Sequence, residues 1–206
     1  MSSKIITISR EFGSGGRSIG KAVAERLGWT YYDKEIVDRV ADETGFNPEF
    51  VEERGEYAPA KSKLAYAFGT AGTPGIMQGM SANDFLWCIQ TNVINSIADK
   101  GEPCVIVGRC ADHILRDREG VLNVFICADA DFKAERVVRL YGNTEKAIEK
   151  RLADKDKKRA VNYKYYTGKQ WGMPANYDIC LKSSAIGIDR CVDIICGLVT
   201  PEDRNG

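Results

Sequence analysis

The chain predicts an α/β fold: a parallel sheet of about five strands with helices on both faces. Three observations carry that expectation. Short apolar or β-branched runs alternate with segments of helical spacing. The runs at 103–109 and 121–128 are almost continuously apolar, as strands buried on both faces are. Glycines stand at the joints between the two kinds of segment.

Taken in order, "IITIS" (Ile5–Ser9) is a β-branched run and reads as the first strand. Ile19, Ala22, Val23 and Leu27 have helical spacing, and Gly28 suits the C-terminus of that helix. "WTYYD" (Trp29–Asp33) is the second strand, ending in a carboxylate. Lys34–Thr44 is a helix with Ile36, Val37, Val40 and Ala41 on one face, and Asn47-Pro48 opens another. "GTAGTPGIMQG" (Gly69–Gly79) has four glycines and a proline, which predicts a loop, either disordered or closing over a ligand. Ser81 and Asp84 form a capping-box pattern opening a helix through Lys100, which Gly101 ends. Pro103–Arg109 and Val121–Ala128 are strands, with a helix over Asp131–Leu140 and Gly142 after it. Thr144 is the expected cap of a highly charged helix. Tyr177–Ser183 is the last strand and Asp189–Val199 a closing amphipathic helix.

Composition narrows the function. Lys+Arg and Asp+Glu both number 29 in 206 residues, so a broad basic footprint for nucleic acid is not expected. A local cluster for a small anion is still open. No apolar run has the length of a membrane span, and "MSSKIITISR" lacks the apolar region of a signal peptide. The seven cysteines are odd in number and lack CxxC spacing, which predicts reduced core thiols in a cytoplasmic protein. The single histidine, His113, has no clustered partners to suggest a metal.

The stretch "ISREFGSGGRSIG" (Ile8–Gly20) joins the first strand to a helix. Gly13, Gly15 and Gly16 lack a Cβ, so the backbone can turn tightly and bring amides against phosphate oxygens. With Ser14, Arg17 and Ser18 they form a candidate phosphate cup at a helix N-terminus. Ser18 is the candidate Mg²⁺ ligand through its hydroxyl. Set on G-x-x-x-x-G-K-[ST], Glu11 takes the first glycine and Arg17 the lysine. Set on G-x-x-G-x-G-K-G-T, Gly16 takes the lysine and Arg17 the next glycine. As a bare pattern, the loop fits a structural turn equally well. Its place between strand and helix favours phosphate.

The wider stretch "IITISREFGSGGRSIGKAVAERLGWTYYDKEIV" resembles the N-terminus of bacterial cytidylate kinases, and more closely the cytidylate-kinase-like family. "VIVGR" (105–109), the arginine after the fourth strand, "D-x-x-R-A-V" (156–161) and "YDICLKSS" (177–184) extend the resemblance over nearly the whole chain. It implies one P-loop kinase domain, 1–206. Its core would be 1–33, 84–135 and 174–206, its acceptor-binding arm 34–83 and its lid 136–173. ATP with Mg²⁺ would lie on the glycine loop. Arg109 matches an acceptor-binding arginine, Asp156 and Arg159 the acceptor-contacting pair, and Asp33 would border the acceptor pocket. Arg17, Arg109, Arg136 and Arg159 would neutralise charge on the transferring phosphoryl group, which is most of what such catalysis needs.

Bland readings stand beside these. Arg136 and Arg139 fit solvated helix charges, and Arg151–Arg159 a charged outer face. Tyr163, Tyr165, Tyr166 and Trp171 either stack on a base or pack the lid. The sequence also departs from the family pattern. Val107 and Cys110 replace acidic residues, and Gly16 replaces the lysine. Arg17 or Lys21 is expected to restore the charge, and Asp112 to serve the metal through water. The expected activity is transfer from ATP to a nucleoside monophosphate, CMP or dCMP first, or a related small acceptor. The alternative is a non-catalytic or regulatory nucleotide-binding protein. A kinase for another metabolite stays open. The expected partners are small-molecule nucleotides, with no nucleic acid and no membrane. Leu64, Tyr66, Phe68, Ile76 and Met77, apolar without their own core, suggest a homodimer.

Overall fold

A computed structural model describes residues 4–55 and 80–199. Five parallel strands form one sheet in the order β2-β3-β1-β4-β5. They are β1 (Ile5–Arg10), β2 (Thr30–Tyr32), β3 (Cys104–Val107), β4 (Val121–Cys127) and β5 (Ile179–Lys182). β1 is central and all six of its residues are buried. Its alternation feeds two cores, because successive side chains point to opposite faces. Ile6 and Ile8 face α1 (Gly16–Leu27) and α9 (Ile188–Val199), with Ile19, Val23, Val192 and Ile195. Ile5 faces α2 (Lys34–Thr44) and α4 (Ala82–Asp99), with Ile36, Val40, Leu86, Ile94 and Ile97. β3 divides likewise, Val105 and Val107 to one core and Cys104 and Ile106 to the other. The result is three layers.

β1 sits between β3 and β4, so the chain leaves its carboxyl end at the point where strand order reverses. Open α/β sheets bind ligands in that crevice. α3 (Pro48–Gly55), the short α5 (Ala111–Ile114), α6 (Ala130–Tyr141), α7 (Ile148–Thr167) and the short α8 (Ser183–Ile186) complete the described α-helices, with one 3-10 turn at Pro174–Asn176.

Some expectations shift. Ser81 caps α4 as expected: its Oγ accepts from the Asp84 N–H at 3.2 Å, and the hydroxyl donates to Asp84 Oδ2 at 2.7 Å. α1 begins at Gly16, three residues before its first apolar position, because the loop runs directly into it. Thr144 does not cap α7. Its hydroxyl donates to the Lys146 carbonyl at 3.3 Å, and Ala147 holds the cap position. None of the seven cysteines is in a disulfide, but Cys88 and Cys180 are exposed and Cys127 half-buried, so only four are core thiols. The Gly69–Gly79 loop and the residues that suggested a homodimer lie outside the described residues. No helix among the described residues is long and apolar enough to cross a membrane.

Candidate phosphate-binding site

The loop is built by crowding and by hydrogen bonds. The Glu11 N–H donates to the Ile126 carbonyl at 2.9 Å, prolonging the β1–β4 pairing. Gly13 and Gly15 both have φ 87°, in the left-handed region. A Cβ on Gly13 would lie 2.9 Å from the Lys133 carbonyl oxygen, and one on Gly15 2.9 Å from Ile188 Cδ1. The Ser14 hydroxyl donates to the Glu11 carbonyl at 2.9 Å, and the Ser14 carbonyl accepts from Ser183 Oγ at 2.6 Å. No side chain caps α1 and its first turn holds no acid. The Ile19 N–H bonds the Gly15 carbonyl at 2.9 Å, so the Gly16, Arg17 and Ser18 amides lie ahead of the helical ladder. Such amides, at the positive end of the helix dipole, suit an anion.

Two helices hold the loop from its other side. The Phe12 N–H donates to Asp156 Oδ1 at 2.7 Å, and Arg159 Nη1 donates to the Arg10 carbonyl at 3.3 Å. Lys133 on α6 meets Glu11 Oε2 at 3.0 Å and Asp156 Oδ2 at 3.7 Å. Burial raises the Asp156 carboxyl, against the bond from Phe12 and the charges of Arg159 and Lys133. Asp156 therefore anchors the loop backbone.

A cavity of about 400 Å³ opens over the loop, bordered by Gly13, Gly15, Gly16, Arg17 and Ser18. Arg10, Arg136, Lys155, Lys158 and Arg159 bring positive charge to it, and Glu49, Glu52 and Glu53 stand on the side of α3. Arg136 Nη2 donates to Ser18 Oγ at 2.7 Å. Burial, then the nearby Arg139, lowers the Arg136 pKa. A second cavity, about 30 Å³, is bordered by Ser9, Gly108, Arg109, Cys110, Asn162, Tyr163 and Trp171. Arg10 and Arg159 border both.

Arg109 is 4% exposed and, with Cys110, has a left-handed backbone at φ 61° and 53°. Two such non-glycine residues in succession store strain, a feature that clusters at functional sites. Arg109 Nη1 donates to the Val51 carbonyl at 3.4 Å, and its own carbonyl accepts from Gln90 Nε2 at 3.1 Å. Beside it, Asp112 accepts from Tyr163 Oη at 2.6 Å and Ser9 Oγ at 3.3 Å. Burial raises the Asp112 carboxyl despite those bonds. Both of its oxygens accept from hydroxyls, one from each.

Arg17 and Asp33, expected on the phosphate and acceptor sides respectively, meet each other. Arg17 Nε lies 2.8 Å from Asp33 Oδ2, and Nη2 lies 3.6 Å from Glu52 Oε1. The Tyr31 hydroxyl sits over this pair, 3.5 Å from Asp33 Oδ2, and burial reinforced by Asp33 pushes its pKa up to about 12. Lys21 pairs with Glu25 at 3.7 Å on the exposed face of α1 and borders neither cavity. Trp171 and Tyr163 reach the smaller cavity, whereas Tyr166 stacks on Trp87 with ring centroids 4.2 Å apart. Sequence reasoning missed Arg10, Lys133, Lys155 and Lys158. Arg10 stood in the quoted stretch, but ahead of its glycines, and the structure makes it the last residue of β1.

A glycine-rich loop at the central strand, an uncapped helix mouth and the adjoining cavity of about 400 Å³ together form a candidate phosphate-binding site on an α/β fold. The profile of the cytidylate kinase-like family matches residues 5–185, and the chain belongs to that family. It is similar to the crystal structure of an uncharacterised protein from Eubacterium ventriosum: 30% identity, TM-score 0.70, covering 95% of this chain and 97% of that one. Shikimate kinase from Bacteroides thetaiotaomicron shares 14% identity at TM-score 0.55, covering 94% of this chain and 97% of its own. A gluconokinase from Sinorhizobium meliloti shares 16% at TM-score 0.51, covering 96% and 91%. The fold is that of P-loop kinases. No curated protein matches the chain.

Proposed function

We propose that this chain is a kinase that transfers a phosphoryl group from ATP to a nucleoside monophosphate, CMP or dCMP first. One observation carries the reading. A phosphate cup and a second, arginine-lined cavity adjoin, with Arg10 and Arg159 common to both. Donor and acceptor phosphates held on either side of two cations are aligned and partly neutralised, and phosphoryl transfer asks little else of a protein.

In this reading the amides from Gly13 to Ser18 hold the donor phosphates. Arg136 and Arg159 spread charge away from the transferring group, and Arg109 binds the acceptor phosphate bidentately. Asp156 acts on the reaction through the loop it anchors. The arm is 34–83 and the lid 136–173. Ser18 is the protein's ligand for Mg²⁺ once Arg136 turns from it to the phosphates. Among the described residues no group of three or more acidic, histidine or cysteine side chains is placed to hold a metal. A single hydroxyl fits Mg²⁺, which draws most of its ligands from phosphate and water; when bound it neutralises phosphate oxygens.

The test is a panel of nucleoside monophosphates, with shikimate and gluconate for comparison, incubated with ATP-Mg²⁺ while ADP release is followed. Turnover with CMP or dCMP above the other acceptors is expected. Tight ATP binding with no turnover on any acceptor would instead support a regulatory nucleotide-binding protein, the reading that Gly16 in place of lysine favours.

A further inference from the structure

Gly16 stands where a phosphate loop of this register carries its lysine. The position has no room for a side chain. A Cβ there would lie 2.4 Å from Arg10 Cβ and 2.7 Å from Arg10 Cγ. Gly16 has no left-handed backbone, so crowding by Arg10 is what demands glycine. Arg10 ends β1, is 5% exposed, and borders both the loop cavity and the smaller cavity. Three other cations near the loop are in ion pairs, while Arg136 and Arg159 border the loop cavity as Arg10 does. Arg17 pairs with Asp33, Lys21 with Glu25, and Lys133 with Glu11 and Asp156.

We propose that Arg10 is the phosphate-binding cation of this loop. The charge has moved from the first turn of the helix to the end of the central strand, its stem passing against Gly16 in the space a lysine would need. A guanidinium there offers a planar fork to two phosphate oxygens, where an ammonium offers a point charge. Its place beside both cavities puts it on the group being transferred. The assignment rests on the nucleotide-binding reading above and gives the altered loop a physical logic. Arg10 and Gly16 are one exchange, each requiring the other.

The exchange can be reversed. Binding of a non-hydrolysable ATP analogue with Mg²⁺ is measured by calorimetry, and turnover alongside, for wild type, Arg10→Ala, Arg10→Gln, Arg10→Gly, Gly16→Lys and the double variant Arg10→Gly/Gly16→Lys. Circular dichroism and melting curves report folding. Arg10→Ala and Arg10→Gln are expected to weaken binding about 10- to 100-fold, the loss of a charged hydrogen-bonding partner. Gly16→Lys alone is expected to lower the melting temperature. The double variant is expected to bind at least about tenfold better than Arg10→Gly, because the lysine then has both space and target. Wild-type affinity in folded Arg10→Ala or Arg10→Gln overturns the assignment alone. So does a double variant no better than Arg10→Gly. Wild-type protein that binds no nucleotide overturns the nucleotide reading and this assignment together.

Discussion

Gly13 and Gly28 share a left-handed backbone, φ 87° and 68°, but not their surroundings. A side chain at Gly28 meets nothing within 4 Å, whereas one at Gly13 meets the Lys133 carbonyl at 2.9 Å. Gly28→Ala should therefore lower stability by the backbone strain alone, about 1–2 kcal/mol, and leave nucleotide affinity unchanged. Gly13→Ala should add displacement of the loop and lose nucleotide binding. Melting curves and analogue titration of the two variants check the contrast. Asp112 permits a second test. Burial raises its carboxyl in the folded chain, so the folded form holds its proton more tightly than the unfolded one. That contribution to stability is complete below the unfolded pKa and is lost as pH rises through the raised folded value. Asp112→Asn cannot ionise, so its melting temperature should gain on wild type as pH rises from about 4. A constant difference across that range would refute the buried carboxyl as the titrating group. At this scale the sequence was partly legible. Gly13, Gly15, Arg136 and Arg159 declared themselves by motif position, and all border the loop cavity. The Arg17–Asp33 pair and the Arg10–Gly16 contact did not, because spacing along the chain does not say which side chains meet across the strand ends.

β3 was legible because burial on both faces leaves it no polar position: it reads CVIV and each residue is buried. α4 was legible from its cap. Ser81→Ala should destabilise by about 1 kcal/mol, seen as a melting-temperature drop of a few degrees, with nucleotide affinity untouched. α7 was harder to read. Its polar residues Asp156, Arg159, Asn162 and Tyr163 face the loop and Asp112 rather than water, and an inward polar face mimics a solvated one. Its start was misplaced because the Thr144 hydroxyl turns to a nearby carbonyl.

Across the whole molecule, the proposed donor and acceptor sides meet at the ends of two neighbouring strands, β1 and β3. β1 delivers the loop to the large cavity, and β3 delivers Arg109 to the small one. Arg109→Ala should accordingly raise the acceptor KM by about tenfold or more while the affinity for an ATP analogue changes less than about twofold. Steady-state kinetics with calorimetry checks this, and equal losses on both sides would show that the two cavities do not act separately. α7 ties these parts together. It grips the loop backbone through Asp156 and Arg159, and further along it lays Tyr166 flat on Trp87 of α4, the rings 6° from parallel. The emission of an indole depends on what lies against its ring. Any shift of the helix as the loop fills would thus be written into the protein's own fluorescence, readable without a dye or a label.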